Sequence, residues 1–343
     1  MTLHFAQIGN FGPAHSTENE LRKAIVNNGH TVTPHQEDDD WGDLIATVGD
    51  YDLVLWTRTA SLSPDHATQW RLLAEARAAG TPVVGVHLDR WWGLARQHEI
   101  YTEPYFRVDL LFTADGGHAD EWAGAGIRHR WLPPAVGAAE CVPGIPRDVY
   151  RSEIAFVGGW DRYGHTEASH RPALVEWLRA NYPGRVRFWP ERGQHAVRGE
   201  ALRDLYASVD VVVGDSCILS ADEAADPGLY WSDRVPETIG RGALLIHPFT
   251  VGIQDAYPRG LRVWTMGEWA TLALHIDTLL GADPTVLAQK RDVARRHVLA
   301  YHTYDHRIAE LVDVLSAEGW LWRTEMAGSR HPDQLVPATE GTD

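Results

Sequence analysis

The sequence predicts an α/β protein of two domains, each a parallel sheet flanked by helices, facing one another across a cleft. Three observations predict it. A chain of 343 residues exceeds one small core and suits two domains of about 150 residues each. Short apolar runs alternate with longer amphipathic ones, the pattern of strands buried on both faces and covered by crossover helices. The alternation stops once, in a stretch bearing Gly and Pro, and then begins again.

In the first half, strands are expected at 3–8, 53–57, 82–87, 110–113 and 130–132, with helices at 17–28 and 64–79. Gly29 and Gly80 close those helices, as glycine does where the chain turns left-handed. Pro133-Pro134 and the span 137–146 then break the pattern and read as a linker. In the second half, strands are expected at 154–157, 186–189, 209–213 and 243–247. Helices fall at 171–181, 199–208, 233–241, 284–301 and 304–317. The expected division is therefore an N-terminal domain over 1–135 on the acceptor side, a linker over 136–150 and a donor-side domain over 151–300. Closing helices at 301–326 and a polar, acidic tail at 327–343, expected to be disordered, complete it.

Composition narrows the function. With 31 Lys and Arg against 47 Asp and Glu, the formal charge is −16, which repels polyphosphate at long range and counts against a nucleic-acid-coating protein. Arg185, Arg187, Arg192, Arg198 and Arg203 lie close in sequence, as do Arg128 and Arg130. The two cysteines, Cys141 and Cys217, give neither a disulfide framework nor a zinc set, so a reducing cytoplasm is expected. Residues 1–8 lack a basic and long apolar leader, and no run reaches the length of a membrane span, so a soluble chain is expected. The acidic run Glu37-Asp38-Asp39-Asp40 reads as a solvated loop after a Pro-containing turn. No histidine or cysteine spacing matches a metal site, and no metal is expected. Fifteen tryptophans are expected chiefly to pack, with ring stacking the alternative.

Strand ends facing a cleft bring backbone N–H groups and helix N-termini to a ligand. Near the start of the helix at 233–241, Arg234 and Glu237 stand one turn apart. A carboxylate there can accept hydrogen bonds from ribose hydroxyls, and a guanidinium can bind diphosphate oxygens in a fork. From the spacing alone, a plain Arg–Glu helix pair before a glycine is the favoured reading. The segment from Tyr230 through Ser232, Arg234 and Glu237 to Ala243 resembles the donor-site signature of GT-B glycosyltransferases, closest to the spore-maturation CgeB-like, group 1 branch, with a phage-type enzyme among the expectations. Ile154-Ala155-Phe156-Val157-Gly158-Gly159 resembles the strand and glycine turn that opens the family's C-terminal domain, and His302-Thr303-Tyr304-Asp305-His306-Arg307 the motif before its last helix.

The resemblance implies two Rossmann-like domains in the GT-B arrangement and transfer of a hexose or pentose from a nucleoside diphosphate sugar, UDP-linked by preference. It further implies retention of anomeric configuration, a nucleotide-sugar co-substrate and no cofactor or metal. Glu237 would hold the ribose, Arg234 would meet the diphosphate or the sugar, Gly158 and Gly159 would let backbone approach the phosphates, and Arg162 would add charge. Tyr230 and Ser232 belong to the same donor set. The family's fuller Glu-x7-Glu pattern is missing, because Leu229 and Tyr230 stand where the first acid would be.

In the N-terminal half, Gly9 and Phe11 open the loop that would face the diphosphate, and His15 within it is a catalytic candidate. The same loop holds Thr17-x-x-Glu20, a capping box with Ser16 or Thr17 at the helix start. At the end of the strand 82–87, His87 and Asp89 are expected on the cleft side, Asp89 as a base on an acceptor hydroxyl and His87 as a stabiliser of the sugar. Trp91 and Trp92 would stack on an acceptor ring, or else pack as core. The acceptor stays open among a surface glycan or lipid, a protein side chain and a hydroxymethylated DNA base. An epimerase or hydrolase of nucleotide sugars, and a non-catalytic nucleotide-sugar-binding protein, remain the alternatives.

Overall fold

The computed structural model describes residues 1–58, 64–160, 170–216 and 228–321. The first half runs β1 (His4–Gly9), α1 (Thr17–Asn27), β2 (Thr31–Gln36), α2 (Gly42–Ala46), β3 (Leu53–Thr57), α3 (His66–Ala79), β4 (Val83–His87), α4 (Glu99–Thr102), β5 (Leu110–Thr113), α5 (Ala119–Gly124) and β6 (His129–Trp131). The second runs β7 (Ser152–Val157), α6 (Arg171–Asn181), β8 (Val186–Trp189), α7 (Gly199–Ala207), β9 (Val209–Val213), α8 (Arg234–Gly240), β10 (Leu245–Pro248), α9 (Ile253–Ala256), β11 (Leu261–Trp264), α10 (Trp269–Leu280), α11 (Pro284–Tyr301) and α12 (Tyr304–Ala317).

Two sheets result, ordered β2-β1-β3-β4-β5-β6 and β11-β10-β9-β7-β8, and every named pairing is parallel. Central strands β3 and β4 are buried along their whole length, which is why their sequences are continuous apolar runs. Strand order reverses at β1 in one sheet and at β7 in the other. Loops leaving a sheet at such a reversal splay apart and open a crevice for ligand. Gly9 ends β1 and Gly158 follows β7, so both glycine turns stand at these crevices.

Strands β2 and β11, the long helix α10 and several short helices, among them α4, α5 and α9, escaped the sequence pattern. Strand β2 is an edge strand that carries Pro34 and is only partly buried, so it shows no apolar run; proline is tolerated at a sheet edge. Pro34 is therefore strand and not turn. Strand β11 is also an edge, with Arg262 in its middle. Helix α10 follows it at Trp269–Leu280.

The acidic run is likewise corrected at its first member: Glu37 is buried, and only Asp38, Asp39 and Asp40 are exposed. The cap of α1 is Ser16, whose hydroxyl accepts the Asn19 N–H at 3.2 Å, while Glu20 pairs with Lys23; the expected Thr17–Glu20 box does not form.

The chain returns to the first lobe at its end. Ile308, Leu311 and Leu315 of α12 enter the core built by Leu3, Phe5 and Leu21. Where the chain crosses between lobes, the Val136 N–H donates to His302 O at 3.2 Å and the Tyr304 N–H to Val136 O at 3.1 Å. Buried Arg307 clasps the crossing, its Nε donating to Pro133 O at 2.7 Å. The stretch 136–150 is thus docked in place. Gly144 sits where a Cβ would meet the Arg203 backbone at 2.2 Å, and the Ile145 N–H donates to Asp204 at 2.8 Å. Arg162 and the tail at 327–343 lie outside the described residues.

Candidate functional site

Between the lobes lies a cavity of about 570 Å³, a volume in the range of small-molecule sites. One wall is the loop after β1, including Asn10 and His15; the other is the start of α7 and α8, including Arg198, Asp233 and Glu237. Glu140 from the crossing segment and Tyr304 from α12 complete it. His15 reaches across the gap to the start of α7. A Cβ on Gly199, whose φ is +56°, would lie 2.7 Å from its ring. Only glycine admits both that conformation and that approach.

Glu237 faces this cavity, but Arg234 is not its partner. Glu237 pairs one turn onward with Arg241 at 3.4 Å, and Arg241 also meets Glu140 at 3.4 Å. Arg234 turns back to the end of β7, where Nη1 donates to Val157 O at 3.0 Å. The expected same-face pair is therefore split: the carboxylate faces the cavity and the guanidinium faces the Gly158 turn. Asp233 lies beside both, and burial together with the Glu237 charge raises its carboxyl above the usual range.

At that turn the Gly158 N–H donates to Trp189 O at 2.8 Å, and a Cβ on Gly158 would lie 3.7 Å from Arg234 Nη1 and 3.8 Å from Arg171 Nη1. Arg171 donates to Gly159 O at 2.9 Å and forms an ion pair with Asp215 at 2.6 Å, both side chains buried or nearly so. Two guanidinium groups thus flank a backbone turn with no side chain in the way, an arrangement suited to phosphate oxygens. The sequence reading missed Arg171 and Asp215. The available signal was an arginine opening a helix and an aspartate just past the end of a strand.

Ser232 and Tyr230 stand on the irregular segment before α8. The Ser232 N–H donates to Ser216 Oγ at 2.9 Å. Ser216 in turn meets His247 Nε2 at 3.0 Å, and His247 is buried with its pKa lowered to about 4 by desolvation. Tyr230 is buried against Leu94 and Ala114 of the other lobe. Nearby, the Gly116 N–H donates to Leu229 O at 3.4 Å and Trp131 meets Trp231 edge-on at 5.6 Å. These contacts hold the lobes together beside the cavity.

The N-terminal candidates separate. Gly9 has no room for a side chain because Glu18 Cγ would lie 2.4 Å from its Cβ, so this glycine seats α1 against β1. Phe11 turns aside, its N–H donating to Gln36 Oε1 at 2.9 Å and its ring lying under Arg22. His87 does not reach open solvent. It is 4 % exposed, with Trp91 at 4.9 Å and neither ring nitrogen hydrogen-bonded among the described residues. Desolvation lowers its pKa to about 3, so near neutral pH the ring is uncharged. Asp89 is partly exposed and lies 3.7 Å from Arg96.

Trp91 and Trp92 are corrected outright as stacking surfaces. They are 3 % and 6 % exposed, packed edge-on against Phe106 and Trp122. Their backbone N–H groups both donate to Asp115 Oδ2, at 3.1 and 3.2 Å. The bulk of two indoles is buried in the first-lobe core, leaving no face for an acceptor ring.

The basic stretches are largely neutralised. Arg185 pairs with Glu153, Arg187 with Glu191 and Arg203 with Glu140, while Arg128 and Arg130 share Glu318. Among the described residues no group of three or more His, Cys, Asp or Glu side chains is placed to hold a metal ion. No described helix is long and apolar enough to cross a membrane.

Two facing parallel-sheet lobes with a cleft at their carboxyl edges define the GT-B architecture, and comparison with known proteins agrees. Residues 164–313 match the family described as glycosyl transferase-like. No protein of curated function matches the chain by sequence. Among solved structures, a glycosyltransferase from Rickettsia africae superposes with a TM-score of 0.59 at 10% identity, covering 94% of this chain and 100% of that one. An α-glucosyltransferase in complex with UDP-glucose and DNA containing an abasic site gives 0.63 at 12% identity, covering 92% and 100%. A glycosyltransferase involved in avilamycin A biosynthesis gives 0.51 at 13%, covering 92% and 97%. The chain has the GT-B fold, and the glycosyl transferase-like match lies in its second half.

Proposed function

We propose that the chain transfers a glycosyl group from a nucleoside diphosphate sugar, UDP-linked, to an acceptor hydroxyl, without a metal ion and with retention of configuration. The observation that carries this reading is the placement of Glu237 and the loop after β1 on opposite walls of one cavity, with Arg234 and Arg171 flanking the Gly158–Gly159 turn. In this reading Glu237 accepts hydrogen bonds from the ribose hydroxyls. The diphosphate lies at the glycine turn, where the two guanidinium groups offset the charge that builds on the leaving group. His15 closes over the donor from the first lobe. Asp89, beside Arg96, takes the acceptor proton, while the neutral His87 ring stays buried behind it.

One similar structure holds UDP-glucose with DNA, so a modified base belongs among the acceptors to be tried. Engagement of the arginine stretches with carboxylates, together with the overall negative charge, supports a glycan or other small hydroxyl compound over duplex DNA. A panel of nucleotide sugars incubated with glycan, peptide and hydroxymethylated-DNA acceptors, followed by mass spectrometry, tests the reading. Donor-dependent mass gain on one acceptor class is expected. Free sugar or an epimer formed equally without acceptor would replace transfer by hydrolysis or epimerisation.

A further inference from the structure

On the C-terminal lobe, where β10 and β11 begin, lies a groove of about 510 Å³, at the opposite ends of these strands from the interlobe cleft. Its floor is apolar, formed by Leu244, Leu245 and Leu279. One wall is α11, from which Val286 and Val293 project two turns apart, still 44 % and 42 % exposed. The opposite wall is the turn through Arg259 and Gly260 into β11. Gly260, at φ +76°, has Ala294 Cβ only 2.4 Å from where its own Cβ would be, so this turn is seated directly on α11.

Three cations line the groove, Arg259, Arg262 and Lys290, and no acidic side chain does. Among the described residues none of the three forms an ion pair. On a chain of formal charge −16 this is a local reversal of sign, and it attracts anions against the field of the whole molecule. The single neutral polar side chain in the lining is Gln289, so a sugar or a nucleobase would find few hydrogen-bond partners there. The volume falls within the range of small-molecule sites.

We propose that this groove binds a small single-chain anionic amphiphile, its apolar chain along the leucine and valine floor and its anionic head held by Arg259, Arg262 and Lys290. The site does not depend on the donor reading. Isothermal titration of the whole chain with dodecyl phosphate below its micelle concentration tests it, with dodecyl maltoside and inorganic phosphate as controls. Saturable binding of dodecyl phosphate is expected, at least tenfold tighter than either control. Arg259→Gln with Lys290→Gln should weaken it about tenfold, equivalent to about 1.4 kcal/mol, and Val293→Gln should weaken it through loss of apolar contact. All three substituted side chains are exposed, so melting temperatures should hold; if a variant melts early, the three-ligand comparison on the unaltered chain still decides. Equal binding of the maltoside, or none of the phosphate, overturns the proposal. So does binding to phosphatidylglycerol vesicles without binding to monomeric dodecyl phosphate, since a membrane surface would then be the partner.

Discussion

Lowering the pH from 7 to 5 should cost the folded chain about 4 kcal/mol through His87 and His247 alone. Both rings are buried, and desolvation holds their pKa values at about 3 and about 4. In the unfolded chain an imidazole titrates near 6.5. As pH falls through that value the unfolded state takes up protons that the folded state refuses. The stability is therefore complete above the unfolded pKa and is lost towards the folded one. At pH 5 each unfolded imidazole is almost fully charged, which favours unfolding by about 2 kcal/mol per ring relative to pH 7. Urea unfolding followed by tryptophan fluorescence at pH 7, 6 and 5 measures this directly. His247→Asn also loses the Ser216 bond and so starts lower at pH 7, but its further loss on acidification should be smaller than that of the parent chain by about 2 kcal/mol. An unchanged pH slope in that variant would refute the assignment of a neutral buried ring.

Two further outcomes follow from contacts at the site. Gly199→Ala should destabilise the fold by about 1–2 kcal/mol through its left-handed backbone. It should also push His15 away from α7, so nucleotide affinity should fall more than thermal stability explains; calorimetric titration beside a melting curve checks both. Arg171→Met should cost about 3–5 kcal/mol because it strands a buried Asp215 carboxylate. Asp215→Asn in the same chain should restore part of that stability without restoring donor binding, a difference that a double-mutant cycle resolves.

Much of the fold was legible because central parallel strands declare themselves. The runs at 53–57, 110–113 and 209–213 match β3, β5 and β9 end to end, since a strand buried on both faces tolerates few polar residues. Edge strands β2 and β11 were not legible, because their outer sides face solvent and admit Pro34 and Arg262. At the site, helical spacing placed Arg234 and Glu237 near each other but could not say that one turns to β7 and the other to the cavity. That choice depends on Arg241 and Glu140, which lie four residues and a lobe-crossing away. Trp91 and Trp92 misled for a related reason: a pair of indoles after a strand reads the same on a surface as in a core. Asp115, which holds both backbones in place, carries no local signal in the sequence.

The most direct measurement compares the affinity of UDP for the parent chain and for Glu237→Ala and Arg234→Ala, with uridine titrated alongside. If Glu237 grips the ribose, its removal should weaken UDP and uridine alike, by about 10- to 100-fold for a charge-assisted bond. Arg234→Ala should weaken UDP while leaving uridine nearly unaltered. Unchanged affinity for both ligands in both variants would contradict the donor site described here.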